Sequence, residues 1–353
     1  MKFLAISLLP FCVFNLSLSG QESSDTSSAS APFDAINPAD FLSEALNAAS
    51  TQSDDPMGTQ RLIQVKDSSL TPMVNASSSF KYSSNPNKVK DPTDKDGTSL
   101  DLSLDFKVGL GEYGLGDDVL AVPAFSLMKM RTLNDPVGKF GEKMKTFDVD
   151  VLVVSLSVPL VLPDDFTLTI GHSYVAPTSI NGPNELISTS NTPSIAFAKN
   201  FPLTSGDVIS VSVGASYTFF NGDSLKEQTN DPVYYEFLNR VYELSNQGSL
   251  DSDYPYNLQS GLSHIMSISY MSPVGEKLTL IPSFTYNNMM FTEGAFKDRS
   301  DKTYNLGVVA SYAFYDWLNA TAMATYTWKT SSDNVSEYED LLGGLSLGVS
   351  HAF

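Results

Sequence analysis

Three histidines, His172, His264 and His351, are the first place to look for acid–base chemistry in this 353-residue chain. A hydrolase would need one of them within hydrogen-bond reach of a serine nucleophile. In an extended segment, residues two apart share a side. His172 then sits with Ile170 and Tyr174, His264 with Met266 and Ile268, and His351 with Val349 and Phe353. All three fall on apolar faces, and no serine stands beside them as a convincing partner. No catalytic residue is expected. Metal chemistry is equally thin. Asp91 to Gly97 reads D-P-T-D-K-D-G, and aligning Gly97 with the turn glycine of a calcium loop puts Asp94 and Asp96 in place. The first ligand position then falls on Pro92 and the last on Ser103, where a carboxylate is required. The stretch reads instead as a solvated acidic loop. Cys12 is the one cysteine, which leaves no thiol pair for a disulfide. No metal and no cofactor is expected.

Met1 to Ser19 has the pattern of a secretory signal: Lys2, an apolar run from Phe3 to Phe14, and Ser17-Leu18-Ser19 as a small-x-small cleavage site. Pro10 and Asn15 interrupt the run before it reaches the ~20 apolar residues that a membrane helix needs. Residues 20–73 read as an extension. Gly20 to Ala31 is too polar to bury a core. Asn37-Pro38 can cap and start a short helix near residues 38–48, with Phe41, Leu42, Ala45 and Leu46 on one stripe. That stripe fits a loose periplasmic segment or a plug. The formal charge of −19 repels nucleic acid and sets that partner aside.

Beyond residue 73 the chain alternates. Leu100, Leu102, Leu104, Phe106, Val108 and Leu110 oppose Asp101, Ser103, Asp105 and Lys107. Ile209 to Phe219 puts Val211, Val213 and Tyr217 against Ser210, Ser212, Ser216 and Thr218. Leu318 to Trp328 puts Ala320, Ala322 and Tyr326 against Asn319, Thr321 and Thr325. Similar strands are read at 74–83, 152–162, 166–174, 266–270, 278–286 and 304–314. Those at 118–131 and 191–201 have ambiguous faces, because Lys129, Arg131 and Lys199 blur the period. Pro282 is expected to need a bulge or a distortion. Short turns, such as Pro163–Asp165 and Tyr315–Trp317, alternate with long polar segments, such as 85–97, 221–259, 291–301 and 331–341.

The last twelve residues, L-G-G-L-S-L-G-V-S-H-A-F, alternate cleanly and stop on Phe353. This segment resembles the closing strand of Gram-negative outer-membrane β-barrels, in which a terminal aromatic and alternating apolar residues form the assembly signal. His351 stands where the pattern often has tyrosine. The resemblance implies an all-β fold over residues 74–353: a transmembrane, antiparallel, up-and-down β-barrel with short periplasmic turns and long extracellular loops. The count of segments is about twelve, within ten to fourteen, and must be even if both termini are periplasmic. The protein is then expected in the cell outer membrane, with lipid outside it and the barrel assembly machinery as the partner of Phe353. A soluble sandwich would alternate too, but the aromatics cluster toward strand ends, as interface girdles require.

The expected function is porin-like passive diffusion of small hydrophilic solutes. Its alternatives are a structural or surface-interaction barrel with a closed lumen and, less favoured, an outer-membrane lipid hydrolase. The expected lumen lining comprises Asp101, Ser103, Asp105, Lys107, Ser210, Ser212, Ser216, Thr218, Asn319, Thr321 and Thr325, with Lys129 and Arg131 as further candidates. In the segment 221–259, Asp231-Pro232 can cap a helix over 233–244 that carries Tyr234, Tyr235, Phe237, Arg240 and Tyr242. It is read as a lid or a constriction. Acids assigned to the external loops, among them Glu227, Glu236, Glu293, Asp333, Glu337, Glu339 and Asp340, predict a weak cation preference that fades with salt.

Overall fold

The computed structural model describes residues 70–85, 96–116, 118–138, 148–180, 189–221, 260–293, 297–332 and 337–353. The signal, the short helix near 38–48, most of the Asp91–Gly97 loop and the segment carrying Tyr234 to Tyr242 lie outside these residues.

The described chain is all strand. Twelve long strands form the wall: β1 (Thr71–Ser83), β2 (Gly97–Gly109), β5 (Ala124–Asn134), β6 (Val149–Leu162), β7 (Phe166–Ser179), β8 (Thr189–Pro202), β9 (Val208–Asn221), β10 (Gly261–Val274), β11 (Leu278–Phe291), β12 (Ser300–Tyr315), β13 (Leu318–Ser331) and β14 (Tyr338–Ala352). Two further strands of two residues each, β3 (Tyr113–Gly114) and β4 (Leu120–Ala121), decorate the β2–β5 connection. Each wall strand pairs antiparallel with its neighbours in the wall. β1 pairs with β14, and β6 joins β7, which closes the sheet into a barrel. Closure removes the unpaired strand edges that hydrocarbon would penalise.

The side-chain period of two sorts the residues by face. Leu104, Leu306, Leu345, Leu347 and Ile195 are exposed on the outside, Leu345 to 68%. On the opposite parity of the wall strands, Ser210, Ser216, Thr218, Asn319, Thr327 and Ser346 are buried on the inside. A water-soluble fold would show the reverse. Above and below the apolar belt lie aromatic clusters. On the long-loop rim, Tyr304 stacks on Trp328 at 5.1 Å between ring centres, with Tyr286 and Tyr326 beside them. On the short-turn rim, Tyr315 stacks on Trp317, Tyr312 packs on Phe314, and His351 meets Phe353 edge-on.

The short turns carry their own chemistry. Asp164 and Asp165 adopt positive φ in the β6–β7 turn, as does Gly206 before β9; short polar residues and glycine tolerate that conformation. Asp207 accepts from the Ser205 hydroxyl at 2.5 Å and from Tyr270 Oη at 2.7 Å. These hydrogen bonds, Ser205's first, hold its carboxyl below the usual carboxylate range.

Two expectations are corrected, and a third takes one of its two forms. Pro282 brings a local distortion and no bulge. It pairs with Val308 in β12, and toward β10 the recorded pairs pass from Ser269–Ser283 to Ser272–Leu280 in one register. The missing donor is absorbed by a local gap in the ladder, with the ring exposed outside. The register shift in the wall instead falls between Ala313 and Tyr315. Asp340 is not a loop acid: β14 begins at Tyr338 and turns Asp340 inward, 2% exposed. Lys129 and Arg131 are not lumen residues. They lie on the outward face of β5 with Leu127, and Arg131 makes a two-pronged bond to Asp150 of β6 at 2.7 Å on each branch. Both faces of β5 confuse the period, because Met128 and Met130 occupy the inward positions.

Candidate functional site: the inner wall

The inner face is built from residues of one parity on each strand, so the antiparallel register decides which of them meet. Small hydroxyls meet across strands repeatedly. Ser77 pairs with Ser103 at 2.7 Å, Ser126 with Ser155 at 2.8 Å and Ser212 with Ser267 at 2.6 Å, each directly opposite in the ladder. Thr192 donates to Thr218, Ser210 to Asn200 and Thr327 to Asn305. Such cross-strand hydroxyl pairs each stabilise the sheet by about 0.2–1 kcal/mol.

The inward charges are gathered on one arc, β12 to β2. Lys81 of β1 bonds Asp101 of β2 at 2.5 Å. Lower on β2, Lys107 lies 3.4 Å from Asp105, to which Asn75 also donates. Toward the long-loop rim, Asp301 sits between Arg299 at 2.6 Å and Lys329 at 2.7 Å, and Ser331 donates to it as well. Asp340 accepts from the Ser83 and Ser84 hydroxyls and from the Asn85 backbone N–H. Along this arc, Lys81, Lys107, Arg299 and Lys329 are matched by Asp101, Asp105, Asp301 and Asp340. A carboxylate with 3% exposure, such as Asp301, is tolerable only because cations and a hydroxyl satisfy it.

The opposite arc, β5 to β11, carries no inward charge in its described strand residues. Hydroxyls share it with Met128, Met130, Val149, Val151, Val153 and Val175, which adjoin through the pairs Met130–Val151, Met128–Val153 and Val153–Val175. Val151 and Val175 are each 2% exposed.

Of the residues expected to line the lumen, Asp101, Ser103, Asp105, Lys107, Ser210, Ser212, Ser216, Thr218, Asn319, Thr321 and Thr325 all lie on the inward parity, buried or half-buried. They do not converge. Asp101 to Lys107 belong to the charged arc, Ser210 to Thr218 to the neutral one, and Asn319 to Thr325 to β13 near the charged arc's other end. The sequence reading missed Lys81, Asp301 and Lys329, although parity alone places them inside. It also missed the valine and methionine patch. The three histidines are exposed on the outside.

This architecture, with an apolar outer belt between two aromatic girdles, defines an outer-membrane type of transmembrane β-barrel. No family model matches the chain, and no curated protein does. Among solved structures, it is similar to the COG4313 outer membrane channel from Pseudomonas putida F1, at 11% identity and a TM-score of 0.49, covering 85% of this chain and all of that one. The beta domain of the Bordetella autotransporter BrkA is similar at 7% identity and a TM-score of 0.41, covering 79% and 98% of the two chains. The NanC porin is similar at 9% identity and 0.39, covering 78% and 98%.

Proposed function

We propose that this barrel is a passive outer-membrane channel for small hydrophilic solutes, working without cofactor or covalent chemistry. The observation that carries the reading is the inner wall. Its polar groups are hydroxyls, amides and balanced ion pairs, which exchange hydrogen bonds with water and polar solutes at little cost. Paired charges of both signs give the wall little selectivity of its own. The net acidity of the chain, at −19, supplies a weak preference for cations at low salt. β14, followed by the exposed Phe353, is the strand we assign to the assembly machinery.

A second reading, a barrel with a filled lumen acting at its surface, is favoured by one observation. Inward Val151 and Val175 and the inward Ser79, at 0%, are withdrawn from solvent. Planar-bilayer recording separates the two. The channel reading expects discrete conductance steps and a reversal potential displaced modestly toward cations in a salt gradient. Absence of steps from correctly folded protein, or anion selectivity at low salt, contradicts it.

A further inference from the structure

We propose that the outer surface over β7, β8 and β9 binds one phospholipid of the periplasmic leaflet, held by its phosphate on Lys199. The proposal is independent of whether the lumen conducts. Phe166, Phe197, Phe201, Val211 and Val213 wall a groove of about 240 Å³ on the lipid-facing side, with Lys199 among them. Lys199 lies opposite Phe166 of β7 and Val211 of β9 in the ladders. Phe166 and Phe197 stack at 5.0 Å, and the Lys199 amine lies 4.0 Å from the centre of the Phe166 ring and 5.3 Å from that of Phe201. The rings hold the ammonium without neutralising it.

The outward cations of β5 have a counter-charge: Arg131 and Lys129 both reach Asp150. Among the described residues, Lys199 has none. A charge on the lipid face is costly toward the midplane and cheap near an interface, and Lys199 is three residues from the end of β8, at the rim of short turns. There an ammonium meets lipid phosphate, and a charge-assisted hydrogen bond becomes available to it. The groove beside it suits an acyl chain. Asp164 and Asp165, exposed in the turn that leads into Phe166, present carboxylates on the same rim. A headgroup that carries both a phosphate and a primary amine complements this arrangement, which points to phosphatidylethanolamine.

The test is native mass spectrometry of the full barrel in detergent, titrated separately with phosphatidylethanolamine and phosphatidylglycerol. Folding of each variant is checked by the heat-dependent shift of barrels on gels. The expected result is one tightly held phosphatidylethanolamine, weakened about tenfold by Lys199→Gln and restored by Lys199→Arg. Phe197→Ala weakens both lipids. Replacing Asp164 and Asp165 with Asn removes the headgroup preference and leaves the dependence on Lys199. Wild-type retention by a folded Lys199→Gln variant overturns the site. Equal retention of the two lipids by the unmodified protein overturns the headgroup assignment.

Discussion

The inner wall has two halves that solve the same problem differently. From β12 round to β2, polar groups are charged and pinned in pairs. From β5 to β11, they are hydroxyls bonded across the ladder, interspersed with valine and methionine. Both halves face the same enclosed space and share one backbone geometry. The charged half is held by a few strong, buried contacts, and losing one partner strands the other. The neutral half is held by many weak contacts, and losing one costs little. On the proposed function, charge recognition of a solute therefore belongs to the first half.

The largest test of that contrast is Asp301→Asn. It leaves Arg299 and Lys329 facing each other without their shared carboxylate, and breaking a buried pair in this way costs about 3–5 kcal/mol. The urea midpoint of the refolded barrel should fall markedly, and any conductance should shift toward anions. On the neutral half, Val151→Asn introduces an amide without a partner at a 2%-exposed position. A loss of about 1–3 kcal/mol is expected, read by the same unfolding curve. Val151→Thr should cost visibly less. The smallest effect is Ser212→Ala, which removes the 2.6 Å bond to Ser267 and should cost about 1 kcal/mol or less. If Ser212→Ala proves as damaging as Asp301→Asn, the two halves are not built on different principles.

The fold was readable because a closed barrel forces alternation, and 209–219, 318–328 and 342–353 keep it with Met323 and Leu342 as the two exceptions. Lys129 and Arg131 defeated the reading because β5 has methionines inside and charges outside, which reverses the usual contrast. Parity placed Asp301 and Lys329 inside, but not together. Their meeting depends on how β12 and β13 pair around the Tyr315–Trp317 turn, where the register shifts. Lys81 and Asp101 depend likewise on a long connection between β1 and β2. Pairing across such connections is a property of the closed sheet and not of either strand alone. Asp340 was misplaced for a simpler reason: its acidic neighbours Glu337 and Glu339 made the start of β14 resemble a loop.

The central claim is that hydroxyl-bearing residues face water and their apolar strand neighbours face lipid. With Cys12, the one native cysteine, replaced by Ser, single cysteines at Ser212, Val213, Thr321 and Ala322 can be exposed to a membrane-impermeant maleimide in lipid vesicles. The account predicts labelling at 212 and 321 and protection at 213 and 322. Labelling at 213 and 322 with protection at 212 and 321 would contradict it.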